Sequence, residues 1–451
     1  MNAAEYSRRL NDRLIRYGAT PLPATPALHV DLDPCYATTF QGQVAALVAA
    51  SLFSRMTSNL AMRVPDVSVV PAMPAEGSLA DLLLSTMTAA NPFGSYVLRE
   101  ARPDDYRICL GPSGAGLVVH GVGWNAFVGP ADSPLVPGET QNPIGAAFAV
   151  IMAGAELQKG RLTSVSVTHL VDTLHWGYGR ITTELADVSL AGFDAGDVWT
   201  VGAGSVGTAA LFFLSLLTRR LSVVLVDGDH VTIENVSRSP LFDAQDAADC
   251  VPKVLAAERW LRQAGIAQVK AYPTWLDELG ERWLERPSGT PDVVIAAANE
   301  REVRSQIENG FPPLQLYATT GRAWQVTLLR HIPLRDACSR CLPGTEVQSA
   351  APICASEPVV HQPVSGERVD AALPFLSYAA GLMTAAELAK ASLSGYPFTP
   401  NRVFFESHNP RLLRKVALMP RAGCICETRL AGSHRQAIAG SKFAHLSAIP
   451  A

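Results

Sequence analysis

The stretch from Asp197 to Asp229, DVWTVGAGSVGTAALFFLSLLTRRLSVVLVDGD, constrains the fold more than any other part of the chain. VWTVG reads as a strand that runs into a glycine-rich turn, and SVGTAALFFLSLLTRR reads as a helix. LSVVLVDGD, an almost unbroken apolar run, suits a parallel strand covered on both faces. A strand, a helix and a second parallel strand in this order make a right-handed β-α-β unit. PDVVIAAAN and LQLYATT read as further parallel strands, with a helix near EREVRSQIENG between them. The class predicted is α/β, with a doubly wound, mostly parallel, Rossmann-like sheet.

A second pattern predicts that this architecture occurs twice. NPIGAAFAVIMAGAELQK (142–159) and LPFLSYAAGLMTAAELAK (373–390) both place Glu-Leu-x-Lys at the same distance after a proline. The residues between are small and apolar, as in a buried helix with close neighbours. A β-like segment follows each, in LTSVSVTHLVDTLHW and in NRVFFESH. Chance likeness of two Ala-rich helices is the alternative. Duplication divides the chain into half one, residues 1–190, and half two, residues 191–451. Half one has strand-like runs at LHVDLD, DVSVVP and YRICLG and a helix at QGQVAALVAASLFSRM, but only YATTFQGQV where half two has its glycine turn. GPADSPLVPGETQNP reads as a loop.

Composition excludes more than it assigns. A formal net charge of −4 gives no reason to expect nucleic acid or an anionic membrane as partner. The longest apolar runs, AALVAASLF and AAFAVIMAGA, are about half a membrane span, and MNAAEYSRRLNDRL lacks the apolar core of a signal peptide. A soluble, cytoplasmic protein is expected.

GAGSVG is a GxGxxG loop in which Gly202, Gly204 and Gly207 let the backbone approach a phosphate at a helix N-terminus. Asp227, about 20 residues past Gly207, ends the next strand, where an acid can hold ribose hydroxyls. Thus far a dinucleotide and ATP fit equally. The segment that follows, VDGDHVTIENVSRSPLFDAQDAADCVPK, carries Asn235, Arg238 and Lys253 outside the carboxyl end of the sheet. A dinucleotide pyrophosphate is largely served by backbone amides and the helix dipole. A triphosphate that loses pyrophosphate needs cationic side chains or Mg²⁺. Asn235 as a cap and Arg238 and Lys253 as solvated charges are the plain alternatives. Taken with the loop and Asp227, the three favour ATP.

This series, GxGxxG, V-D-x-D-x-V, E-N-x-x-R and then Lys, resembles the adenylation domain of the ThiF/MoeB and ubiquitin-activating superfamily over most of residues 195–430. The resemblance implies that Asp227 holds the ribose, that Asn235, Arg238 and Lys253 contact the phosphates, and that Gly202 to Gly207 form the nucleotide loop. EYSRRL resembles the family's N-terminal helix, whose arginine reaches into a facing domain's ATP site, and Arg8 is the matching position. Ubiquitin-activating enzymes pair an inactive adenylation domain with an active one, while simpler members are homodimers. A degenerate half one fused to an intact half two resembles the first arrangement, and further self-association stays open. Where the family carries an Mg²⁺-binding Asp after the next strand, this chain has Asn299, which offers a carbonyl oxygen but no charge, followed by Glu300, so either Asp229 or Glu300 supplies the metal carboxylate or adenylation is weaker than usual.

Five of the eight cysteines lie in the C-terminal quarter. Cys338 and Cys341 form CxxC, and Cys424 and Cys426 form CxC where the family has a second CxxC. Four thiolates in two close pairs suit a structural, tetrahedral Zn²⁺ that staples the chain end to the core; unmetallated thiols or a redox pair are the alternatives. Cys354 stands in SAAPICASEPVVHQPVSGERVD, within a segment at about 342–372 that reads as a long crossover loop. The resemblance implies that a cysteine on this crossover accepts the activated protein as a thioester, and a thiolate is a suitable acyl acceptor. Cys250, just before VPK, reads as a packed small residue.

The expected activity is ATP-dependent adenylation of the C-terminal carboxylate of a small ubiquitin-like protein with a Gly-ended tail, then transfer to Cys354 and on to a conjugating enzyme. Open alternatives are sulfur-carrier activation, a peptide-modifying adenylase without a thioester, an NAD-dependent oxidoreductase, and a non-catalytic binding scaffold.

Overall fold

The computed structural model describes residues 2–16, 21–22, 25, 27–160, 167–185, 188–190, 192–279, 291–298, 301–321, 324–342, 373–393, 400–428 and 441–446. Cys354, Asn299, Glu300 and the expected crossover from residue 343 onward lie outside the described residues.

The strands of the first sheet are β1 (Leu28–Leu32), β2 (Asn59–Arg63), β3 (Ser95–Leu98), β4 (Tyr106–Leu110), β5 (Leu117–Val122), β6 (Asn125–Gly129), β7 (His169–Asp172) and β8 (Gly177–Tyr178). Those of the second are β9 (Gly196–Val201), β10 (Leu221–Val226), β11 (Gln268–Tyr272), β12 (Val293–Ala296), β13 (Leu314–Gly321), β14 (Gln325–His331), β15 (Arg402–Glu406) and β16 (Arg414–Val416). Their orders, β3-β2-β1-β4-β5-β6-β7-β8 and β11-β10-β9-β12-β13-β14-β15-β16, correspond strand for strand. In each sheet the first five strands are parallel and the last three antiparallel. The α/β architecture is therefore duplicated. DVSVVP departs from its expectation: residues 66–71 form no strand and make one isolated bridge, Ser68 to Ser78.

The helices are α1 (Ala3–Leu10), α2 (Asp12–Arg16), α3 (Pro34–Ala37), α4 (Phe40–Phe53), α5 (Leu79–Ala90), α6 (Ile144–Gln158), α7 (Ser205–Leu217), α8 (Ile233–Val236), α9 (Ala244–Ala248), α10 (Lys253–Gln263), α11 (Arg301–Asn309) and α12 (Pro374–Ala391). Helices α4, α6, α7 and α12 are apolar on all sides and buried almost throughout, as helices without a polar face must be. They pack on one another, α12 against α7, α6 and α4, and join both halves in one continuous core. The Ser51 hydroxyl meets Tyr378 Oη at 2.7 Å across the halves, and the rings of Phe148 and Phe405 lie 5.0 Å apart.

The shared Glu-Leu-x-Lys pattern has a matching use in both halves. Lys159 Nζ donates to Glu156 Oε1 at 2.6 Å, and Lys390 Nζ to Glu387 Oε1 at 2.8 Å. All four groups are buried, and a charge taken out of water needs such a partner. Trp176 of half one also donates to Glu387 Oε1, at 2.9 Å, so the second pair belongs to the contact between halves. Among the described residues, no helix is long and apolar enough to cross a membrane.

Candidate functional site

At the carboxyl edge of the second sheet, β9 ends at Val201 and the chain turns through Gly202 into α7. Gly202 has φ +95°, and a Cβ there would come within 2.7 Å of the Ala298 amide nitrogen. A Cβ on Gly207 would lie 2.1 Å from the Gly202 carbonyl oxygen. These two glycines are thus required by the packing of the loop itself. Gly204 differs, because a Cβ on it would meet nothing of this chain within 4 Å. Gly204 lines a cavity of about 620 Å³.

That cavity brings together most of the expected nucleotide residues. Gly202, Gly204, Asp227, Asp229, Asn235, Arg238 and Lys253 all line it. Asp227, 8% exposed at the end of β10, accepts the Ala203 amide at 2.7 Å and the Asp229 amide at 2.8 Å. Burial pushes its carboxyl above the usual range, opposed by Lys253 and the two amides. Lys253, first residue of α10 and 8% exposed, donates to Asp229 Oδ2 at 2.6 Å. Asn235 closes a capping box with Thr232 on the four-residue α8, so it is both a cap and a cavity residue. Arg238, 7% exposed, donates to the Glu234 carbonyl.

Arg8 needs correction. It is exposed on α1 and is not among the residues lining the cavity. Its neighbour Arg9 grips Glu234 with Nε to Oε1 at 2.7 Å and Nη2 to Oε2 at 3.1 Å, and Tyr6 anchors the helix through Ala90 O at 2.9 Å. The N-terminal arginine that reaches the cavity is Arg13, on α2. Its Nε is buried and has no hydrogen-bond partner among the described residues.

Sequence reasoning also passed over Trp275, Leu276, Glu302, Val303, Gln306 and Thr320, which line it as well. Trp275, half exposed, packs so closely that a Cβ on Gly228 would fall within 2.6 Å of its ring. No local motif marks such residues, since the turn after β11, helix α11 and the end of β13, distant in sequence, supply them. The lining carries Arg13, Arg238 and Lys253 against Asp227, Asp229, Asp277 and Glu302. A hard divalent cation takes oxygen ligands, and the lining offers carboxylates for one in Asp229, which also accepts from Lys253, and Glu302.

Half one shows how the same fold lacks this cradle. Leu32 pairs with Leu110 as Val201 pairs with Ala296. One step further, Asp33 and Pro34 stand in place of Gly202 and Ala203. The register Asp31–Arg63, extended by two, puts Pro65 where half two has Asp227. Asp33 caps α3 by accepting the Tyr36 amide at 2.8 Å.

The C-terminal cysteines converge as expected. The sulfurs of Cys338, Cys341, Cys424 and Cys426 all lie within 4.8 Å of one another. Three of their separations are 3.5, 3.5 and 3.8 Å. Zinc–sulfur bonds of about 2.3 Å in a tetrahedron place ligand sulfurs about 3.8 Å apart. The CxC spacing thus still closes a set that fits structural Zn²⁺. Cys250, by contrast, is exposed, with φ +54°, and is not a packed residue.

A glycine loop at the carboxyl edge of a Rossmann-like sheet, an acid on the second strand and a cationic crossing define a nucleotide-binding α/β protein. The ThiF family profile matches residues 186–427, more than half of the chain, and the chain belongs to the ThiF family, whose fold is that of an adenylyltransferase. No curated protein sequence matches it. Among solved structures it is similar to E. coli MccB with MccA-N7isoASN, at 12% identity and a TM-score of 0.43, over 70% of this chain and 99% of that one. E. coli MccB alone shows 13% identity and a TM-score of 0.40, over 70% and 96%. PaaA shows 16% identity and a TM-score of 0.36, over 50% and 64%.

Proposed function

We propose that the cavity of half two binds ATP with Mg²⁺ and adenylates the C-terminal carboxylate of a small ubiquitin-like protein. The observation that carries this reading is the convergence of Gly202, Gly204, Asp227, Asn235, Arg238 and Lys253, scattered in sequence, on one cavity that half one also enters through Arg13. A carboxylate oxygen of the substrate attacks the α-phosphorus, the bond to the bridging oxygen breaks, and pyrophosphate leaves. No general base is needed, because a C-terminal carboxyl with a pKa near 3.5 is already ionised. The barrier is repulsion between anions and charge build-up on pyrophosphate. Loop amides, Arg13, Arg238 and Lys253 reduce both. Bound Mg²⁺ would supply charge neutralisation at the phosphates, and Asp229 and Glu302 are the lining carboxylates that would hold it.

In the second step the Cys354 thiolate attacks the acyl carbon, AMP departs, and the thioester passes to a conjugating enzyme. The division into a half that carries the glycine loop and acid and a half that, among the described residues, has Asp33, Pro34 and Pro65 in their places supports conjugation over sulfur-carrier activation. ATP–pyrophosphate exchange with candidate small proteins tests the first step. Lys253→Ala is expected to lower exchange about tenfold or more, the worth of a charged hydrogen bond; undiminished exchange overturns the phosphate role. A thiol-reducible adduct that disappears in Cys354→Ser tests the second step. Exchange without any adduct points to an adenylase that forms no thioester.

A further inference from the structure

We infer that Arg55, in half one, is a positioning residue for the nucleotide site of half two. It follows α4 and is 4% exposed. Its Nε donates to Val236 O at 2.9 Å, and its Nη2 donates to Pro240 O at 3.3 Å and Phe242 O at 3.1 Å, with Ser239 O at 3.5 Å. Nη1 turns back to Ser51 O at 2.7 Å. All four outward acceptors lie on the crossing that carries Asn235 and Arg238.

That crossing has little regular structure of its own. Helix α8 has four residues, too few to be stable alone, and Val236, Ser237, Ser239, Leu241 and Phe242 are buried. Carbonyls in such a place need donors, and one guanidinium from the facing half supplies them. On the outer side Arg9 grips Glu234. Half one thus holds the Asn235–Arg238 turn from two directions.

The duplicated fold repeats the device. Ser51-Leu52-Phe53-Ser54-Arg55 corresponds to Ser215-Leu216-Leu217-Thr218-Arg219 at the end of α7. Arg219 likewise donates back to the Ser215 carbonyl and crosses to half one, reaching Ala72 O at 3.4 Å. Ala72 lies after β2, as residues 236–242 lie after β10. Each half clamps the other's crossing, but only the crossing held by Arg55 carries phosphate ligands. Arg219 is therefore an internal control.

The inference rests on the ATP reading, and its test separates the two. Full-length wild type, Arg55→Met, Arg55→Lys and Arg219→Met are compared by ATP titration calorimetry, melting temperature and amide hydrogen exchange over residues 233–242. Arg55→Met is expected to weaken ATP binding about tenfold and to speed exchange in the crossing. Arg55→Lys, which keeps the charge and some donors, is expected to fall between it and wild type, and it carries the test if Arg55→Met does not fold. Arg219→Met is expected to lower the melting temperature while ATP affinity stays within about twofold. Unchanged affinity in the Arg55 variants, or an equal loss in Arg219→Met, overturns the inference. If wild type binds no ATP, the nucleotide reading fails, while the exchange measurement still reports whether Arg55 holds the crossing.

Discussion

Gly204 and Gly207 belong to one loop but answer to different neighbours. Gly207 is required by a carbonyl of its own chain 2.1 Å from where a Cβ would sit, so Gly207→Ala is expected to destabilise the fold by about 1–3 kcal/mol. Gly204 has no such neighbour, and its φ of −76° suits any residue. Gly204→Ala should therefore leave stability within about 0.5 kcal/mol, while its methyl group occupies the space a phosphate needs. A cost of about 1–3 kcal/mol there corresponds to a loss of about fivefold to 150-fold in ATP affinity. Thermal melts and nucleotide titrations of the two variants check this; equal melting behaviour or unchanged affinity in Gly204→Ala contradicts it.

At the scale of elements, α1 and the C-terminal cysteine segment are both fastened by side chains rather than by regular pairing. Burial opposes ionisation of Glu234, but the hydrogen bonds from Arg9, from its own backbone amide and from Thr232, together with the charge of Arg9, outweigh it and hold the carboxyl at about 2. Its unfolded value is near 4.3. The Arg9–Glu234 contribution is then fully present above about pH 4.3 and is lost as pH falls through about 2. Because both groups are partly exposed, Arg9→Ala is expected to cost only about 1 kcal/mol at pH 6. That difference should shrink at pH 2, as read from denaturant midpoints. The cysteine cluster joins residues 424–426 to the turn at 338–341. Zinc analysis is expected to find one equivalent per chain, and stripping it with a chelator, or Cys424→Ser, should lower the melting temperature by several degrees. A protein without zinc and unmoved by chelation contradicts this.

For the whole molecule, the decisive property is one core spanning two equal sheets. Calorimetry is expected to show a single transition covering both halves, not two. Acid should disturb both together. Burial holds His120 in half one and His331 in half two at about 4, below the unfolded value near 6.5. The unfolded chain binds more protons between these values, so stability falls as pH drops from about 6.5 to 4, by up to about 3 kcal/mol for each histidine. His120→Gln is expected to remove about half of this acid-dependent loss, measured by melts at pH 7.5 and 4.5.

Local pattern was enough for β9, the glycine turn, α7 and β10, because apolar periodicity and glycine spacing are written in consecutive residues. The same holds for the duplicated helices α6 and α12, whose uniform apolarity demands burial wherever they lie. Asn235, Arg238, Lys253 and the four cysteines were likewise legible by type and spacing. The sequence alone could not choose Arg13 over Arg8. Nor could it show that Arg9 and Arg55 serve a distant crossing, or that Trp275 and Glu302 line the cavity. Those roles depend on which surfaces the two halves bring face to face. An arginine's identity fixes its charge and reach, while its partners are fixed by the packing that strips water from buried carbonyls and brings them within reach of its guanidinium.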